Sequence, residues 1–427
     1  MEQTEIKEII DLIKREVVPA IGCTEPIAVA LCAARATELL GQQPESLNVQ
    51  LSANILKNAM GVGIPGTGMI GLPIAIALGS LIGKSEYGLQ VLKECSNEAV
   101  TYGKAMIDEG LIKISLKDNI TEKLYIEIRA EAAGHTATAI IAAMHTNFVY
   151  LEHDGKVILD KRTASASQED CSHDVKLSMR KVFEFATTAP LDDIRFILES
   201  ARLNKAAAEE SFKGNFGHGL GKVMRGSLEL DIMGDSVLAQ MLSYTSAACD
   251  ARMGGAMVPV MSNSGSGNQG IAATLPVVVF AEKRGKSEEE LIRALTLSHL
   301  TAIYIKQSLG RLSALCGCVV ASTGSSCGIT LLMGGNYEQI TFAVKNMIAN
   351  LTGMICDGAK PSCAMKLSSG VSTSLMSAML AMEGKCVSSV EGIIDDDVDL
   401  CIRNLTLIGT KGMENTDRLV LDIMTSK

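Results

Sequence analysis

The chain has 427 residues, with 39 Lys and Arg against 48 Asp and Glu, a formal charge of −9. No basic stripe is available to release phosphate counterions, which argues against nucleic acid or an anionic membrane as the main partner. The length allows two or three domains with real cores, so no disulfide is needed for stability. Aromatic residues make up 4% and Trp is absent, although 47% of residues are apolar. That balance, rich in Ala, Gly, Met and Leu, favours closely packed helices over a β-sandwich.

The first residues, MEQTEIKEIIDLIKREVV, alternate charged and apolar side chains at helical spacing and lack the basic-then-apolar layout of a signal peptide. A cytoplasmic location is therefore expected. Twelve cysteines then serve either as small buried hydrophobes or as metal and redox ligands. Residues 5–40 read as two helices interrupted by PAIGCTEP at 19–26, where two prolines and a glycine stop one helix and open the next. Thr24 is the expected cap and Pro26 falls in the first turn. This places Cys23 at a helix N-terminus, where the dipole favours an anion and predicts a thiol more acidic than usual. Glu25 is a second candidate base, or merely a residue that favours the helix start.

From about residue 47 the pattern changes to strand-like alternation, in 47–56, 111–118, 123–134 and 137–158, with Gly and Asp-Gly turn signals. The uncharged stretch 62–82 is long enough to span a bilayer, but its prolines and glycines make it a buried loop and helix. Residues 163–174 form a polar boundary loop, after which 175–427 shows helical periodicity with Gly-rich breaks. The predicted fold is α+β: a mainly helical catalytic domain with an inserted smaller α/β domain built on a mixed sheet. The division is 1–43, N-terminal helices packing with the catalytic domain; 44–165, the α+β domain; and 166–427, the helical domain. No internal repeat is evident.

Two segments concentrate thiols. RLSALCGCVVASTGSSCGITLLMGG carries Cys316, Cys318 and Cys327 in apolar surroundings, and MICDGAKPSCAMK places Cys356 and Cys363 on either side of a charged tight turn. Thiols so placed can converge on one point. A catalytic cubane needs three thiolates and one iron left open to substrate, although cysteines of an Ala-rich helical protein also serve as packing residues. The loop SNSGSGNQG at 262–270 offers bare backbone N–H groups with Ser264, Ser266 and Asn268 as donors for a carboxylate, or else is a helix-packing turn of small residues. His135, in a Gly-His-Thr turn, is a further candidate donor.

PAIGCTEPIAVALCAARA, SNSGSGNQGI and CDGAKPSC together resemble the L-cysteine desulfidase family, relatives of the iron-sulfur-dependent L-serine dehydratases. The resemblance covers essentially the whole chain. It implies a 4Fe-4S cluster, oxygen-labile, on Cys316, Cys356 and Cys363, with Cys318 the rival for the first position. It further implies that Cys23 acts as the base at Cα or as a resting ligand of the open iron. Ser264, Ser266, Asn268, Glu25 and His135 are the candidate substrate-binding residues. The implied reaction takes L-cysteine to pyruvate, ammonia and hydrogen sulfide, with a small amino acid as ligand and a homodimer as the expected assembly. Alternatives are an L-serine dehydratase, a pyridoxal-phosphate lyase with Lys222 as Schiff-base lysine, a non-catalytic iron-sulfur regulator, and a transporter, for which flanking basic loops are lacking.

Overall fold

The structure, a computed structural model, describes residues 1–118, 120, 122–162, 175–310 and 313–426. Helix α1 (Gln3–Glu16), strand β1 (Pro19–Ile21) and helix α2 (Thr24–Leu40) come first. Strand β2 (Ser46–Leu51) and helices α3 (Ala53–Ala59), α4 (Leu72–Ile82) and α5 (Asn97–Asp108) follow. Then come strands β3 (Ile112–Leu116), β4 (Tyr125–Ala132), β5 (His135–Ala142), β6 (Phe148–His153) and β7 (Lys156–Asp160). Strands β2 to β7 form one mixed sheet in the order β3-β2-β4-β5-β6-β7, with β2 and β3 parallel and the other neighbours antiparallel.

Period-two alternation selects the buried face of this sheet. Leu47, Val49 and Leu51, then Ile126 and Ile128, then Ala137, Ala139 and Ile141 are all buried and share one core with α2 and α4. Cys32 belongs to this layer, its thiol 3.2 Å from the Ala139 carbonyl, and so is a packing residue. The stretch 62–82 is a loop followed by α4, and among the described residues no helix is long and apolar enough to cross a membrane.

The helical unit comprises α6 (Met179–Thr188), α7 (Leu198–Lys213), α8 (Val237–Met253), strand β8 (Pro259–Met261), α9 (Gly267–Lys283) and α10 (Glu288–Leu309). It continues through α11 (Gly317–Leu332), α12 (Tyr337–Leu351), α13 (Cys363–Met382), α14 (Val398–Leu407) and α15 (Glu414–Thr425). Helix α11 has no charged residue and packs against α9, α10, α12 and α13, which explains why it is buried on every side. Its small residues permit that: a Cβ at Gly324 would stand 2.2 Å from the Ser298 carbonyl oxygen of α10.

The chain therefore has the α+β class predicted, with the mixed sheet interrupting a helical unit. Helix α1 contributes Ile9, Leu12 and Ile13 to the helical core, and β1 pairs antiparallel with β8. Helix α2, expected with the rest of 1–43 to pack on the helical domain, covers the sheet, because Ala and Leu on all its faces suit burial between two layers. The boundary loop expected at 163–174 lies outside the described residues.

Candidate functional site

The start of α2 carries the first group. Cys23, not Thr24, is its N-cap, and the Thr24 hydroxyl instead lies 3.1 Å from both Glu25 Oε2 and the Gly265 carbonyl oxygen. Cys23 Sγ donates to Glu25 Oε2 at 3.0 Å. Burial and the adjoining Glu25 carboxylate push the Cys23 thiol well up, and the Arg252 guanidinium only partly opposes them. The expectation of an unusually acidic thiol is thus corrected: loss of solvation outweighs the helix dipole at a fully buried position.

Arg252, near the end of α8, is 3% exposed. Its Nε donates to the Gly22 carbonyl at 3.2 Å and its Nη1 to Asn268 Oδ1 at 2.9 Å, both neutral acceptors. The glycine at 267 makes room for it, since a Cβ there would stand 2.2 Å from Arg252 Nε. Cys249, on the preceding turn of α8, has its sulfur 3.6 Å from the same Asn268 Oδ1.

The 262–270 loop is fastened to its surroundings by its own polar atoms. Asn263 and Ser266 exchange backbone hydrogen bonds across Ser264 and Gly265, which hold φ of +49° and +81°. Ser264 Oγ donates to Asn263 Oδ1, and Ser266 Oγ caps α9 by accepting from the Gln269 N–H. Of the three expected donors, Ser264 spends its proton within the turn, Ser266 accepts the α9 capping bond through its oxygen, and Asn268 reaches Arg252 and Cys249. His299 of α10 supports the loop from below, with Nδ1 3.1 Å from Asn263 Nδ2 and Nε2 3.0 Å from Thr274 Oγ1. Because Thr274 already donates to the Gly270 carbonyl, it accepts from His299 Nε2–H, and the imidazole is neutral. Burial lowers its pKa to about 3.

The third part gathers thiols. A bridge between Leu315 and Ile355, with Cys316 N–H donating to the Met354 carbonyl and Cys356 N–H to the Ala314 carbonyl, sets Cys316 and Cys356 side by side. Cys316 is the N-cap of α11 and Cys363 the first residue of α13. The charged turn between Cys356 and Cys363 is pinned by Asp357, which pairs with Lys360 at 2.6 Å and with Lys366. Burial and then the neighbouring thiols of Cys318, Cys356 and Cys363 push Cys316 well up, and burial also raises Cys363. The three sulfurs do not all lie within 4.8 Å of one another. They do not crowd around one ion, and a cubane takes each thiolate on a separate iron.

Cys318 turns away, donating to the Lys366 carbonyl at 3.0 Å, and Cys327 is fully buried within α11 with its pKa raised to about 12. The thiol group meets the loop through Gln269, whose side chain lies against Gly317 and whose Oε1 is buried with no hydrogen-bond partner. Cys249 in turn senses Cys363, Cys318 and Arg252. Four helix starts, those of α2, α9, α11 and α13, thus bring Cys23, Asn268, Cys316 and Cys363 into one connected region. Their dipoles favour negative charge there. Thiolate donors at positive helix ends, beside an unpartnered buried acceptor, fit an iron-sulfur cluster with a polar ligand next to it.

His135 is not in this region. It begins β5, an interior strand of the sheet, and is 58% exposed, with Nδ1 2.7 Å from Asp154 Oδ2 and His153 close by. Lys222 Nζ donates to the Gly214 carbonyl and lies 3.4 Å from Asn215 Oδ1. Arg252, Cys249 and His299 carry no motif of their own, and their placement emerges only from packing; Gln269 lies in the 262–270 motif but was not singled out within it.

A fold in which a sheet unit interrupts a helical one, with thiols collected at helix starts, is matched by the family model of the serine dehydratase alpha chain over residues 86–422. The chain belongs to that family, which is related to the iron-sulfur serine dehydratases. The matched span includes the 262–270 loop, Cys316, Cys356 and Cys363, and leaves Cys23 outside. More particularly, the chain is 73% identical over 424 residues to the UPF0597 protein of Phocaeicola vulgatus, covering 99% of this chain and 98% of that one. It is 70% identical over 428 residues to the UPF0597 protein of Bacteroides thetaiotaomicron, covering 100% and 99%. The UPF0597 protein of Porphyromonas gingivalis is 57% identical over 432 residues, covering the whole of both chains.

Proposed function

We propose that this protein is an iron-sulfur-dependent lyase that removes the β-substituent of a small L-amino acid, foremost L-cysteine, to give pyruvate, ammonia and hydrogen sulfide. The observation that carries this is the gathering of Cys316, Cys356 and Cys363 at the starts of α11 and α13, joined through Asn268 and Arg252 to the Cys23–Glu25 pair. A 4Fe-4S cluster held by Cys316, Cys356 and Cys363 supplies, when bound, a Lewis-acidic iron that makes the β-substituent a better leaving group. Burial raises the Cys316 and Cys363 thiols, so these two would have to give up protons to hold the cluster.

The chain's own residues supply the proton chemistry. Glu25 Oε2 is placed to take the Cys23 thiol proton, and the resulting thiolate takes the Cα proton of the substrate. The electron pair from the Cα–H bond forms the Cα–Cβ double bond as the Cβ–S bond breaks and hydrosulfide departs. Aminoacrylate then tautomerises and adds water, leaving pyruvate and ammonium. L-Serine dehydration is the second candidate, favoured by the family match, and differs only in the atom expelled. A pyridoxal-phosphate lyase gives no role to the thiols.

Anaerobic reconstitution followed by sulfide release from L-cysteine and pyruvate release from L-serine tests the assignment. Greater kcat/KM on L-cysteine is expected, and equal or better turnover of L-serine refutes that preference. Cys356→Ser should lose iron, whereas Cys23→Ala should keep iron and lose turnover. Full iron content in Cys356→Ser would overturn the ligand assignment.

A further inference from the structure

Two buried polar groups at this site have unmet demands of opposite kind. Arg252 is a desolvated cation whose hydrogen bonds go to the Gly22 carbonyl and the Asn268 amide oxygen, and among the described residues no carboxylate pairs with it. Asp250, two residues earlier, accepts instead from the Gly221 and His218 N–H groups. Glu25 is engaged by Cys23 and Thr24. A buried charge without a counter-ion costs several kcal/mol, so a guanidinium kept in this state is matched to an anion that arrives from solution. Gln269, next in sequence to Asn268, presents the reverse: a carbonyl oxygen, Oε1, buried without a donor. An acceptor left this way destabilises the empty site until a donor comes.

We infer that Arg252 and Gln269 form the recognition site for the α-carboxylate and α-ammonium of a free amino acid, Arg252 taking the carboxylate and Gln269 Oε1 the ammonium. This rests on the proposed elimination for the identity of the substrate but not for the chemistry of binding. The inference places the carboxylate on Arg252, beside the 262–270 loop that was expected to hold it, where the Ser264 hydroxyl donates within its own turn. Asn268 becomes the positioning residue: its Oδ1 fixes one arm of the guanidinium at 2.9 Å, and Gly267 leaves space for the rest. A zwitterion meets both demands at once. In a peptide every residue has its carboxyl group, its amino group or both tied up in amide bonds and leaves one or both demands unmet, so free α-amino acids are the substrate class.

L-Alanine, which has no leaving group, separates binding from turnover. Isothermal titration of anaerobically reconstituted enzyme with L-alanine should show one site. Arg252→Gln should weaken it at least thirtyfold, and Arg252→Lys, which keeps the charge but loses the planar fork, by about tenfold. Gln269→Leu should weaken L-alanine about tenfold. Two half-probes separate the roles: 3-mercaptopropionate should lose affinity with Arg252→Gln and not with Gln269→Leu, and cysteamine the reverse. Iron content and far-UV circular dichroism of each variant establish that cluster and fold are retained, and Arg252→Lys serves should Arg252→Gln not fold. L-Alanine affinity in Arg252→Lys and Gln269→Leu within twofold of the parent overturns the assignment. So does equal loss of both half-probes in each variant. L-Alanine binding with the expected variant pattern but without any elimination would sink the proposed reaction and leave this inference standing.

Discussion

His299 decides how the 262–270 loop tolerates acid. Its imidazole is enclosed, with Asn263 and Thr274 on its two nitrogens, and neither neighbour can stabilise an imidazolium as an anion would. Folding lowers its pKa from 6.5 to about 3. Between those values the unfolded chain binds a proton that the folded chain refuses, so the stabilisation is complete above pH 6.5 and is lost as pH falls toward 3. At 1.36 kcal/mol per unit the full window corresponds to roughly 5 kcal/mol. Denaturant unfolding of the parent between pH 7 and pH 4 should therefore lose about 1 kcal/mol per pH unit below 6 that His299→Gln does not lose. Parallel stability curves for the two proteins would show that the imidazole does not titrate in this way.

Helix starts organise the site because each is already marked in sequence by a chain break. PAIGCTEP, SNSGSG and CDGAKPSC combine Pro and Gly stops with a polar or thiol residue, and these breaks became the starts of α2, α9 and α13. The period-two alternation around residues 47–56, 123–134 and 137–158 likewise marked β2, β4, β5 and β6. What such local patterns could not carry is solvation and distant partnership. The dipole at Cys23 was legible, but its complete burial and the turn of Glu25 toward it were not, and these reverse the expected pKa direction. Ser264 looked like a free donor because nothing local shows that its hydroxyl proton goes to Asn263 Oδ1. Arg252 sits in a helical stretch where an arginine ordinarily reads as surface. Only its arrangement against Gly22, 230 positions away in sequence, makes it a buried cation.

The molecule has two cores, and Lys57 joins them at the edge of the thiol site. It belongs to α3 of the sheet unit, is 2% exposed, and pairs with Asp417 of α15, near the far end of the chain. Asn54, one turn before it, donates to the other Asp417 oxygen at 2.7 Å. Lys57 Nζ also lies 3.4 Å from the Cys356 carbonyl oxygen, and Gly358 packs so close that a Cβ would stand 2.3 Å from the Lys57 carbonyl oxygen. The last helix thereby holds a lysine that holds the turn carrying two of the proposed cluster ligands. Removing Asp417 leaves an ammonium in low dielectric with only a carbonyl for company, so Asp417→Ala should destabilise the protein by about 3 kcal/mol. Removing both charges restores an apolar contact, and Lys57→Met combined with Asp417→Leu should recover most of that loss. Thermal unfolding of the two single variants and the double variant measures this coupling. If the clasp also steadies the cluster turn, Asp417→Ala should lose its iron-sulfur absorbance faster than the parent at temperatures below unfolding. A double variant no more stable than Asp417→Ala, with iron loss at the parental rate, would mean that α15 merely rests on the surface and that the two cores are held together elsewhere.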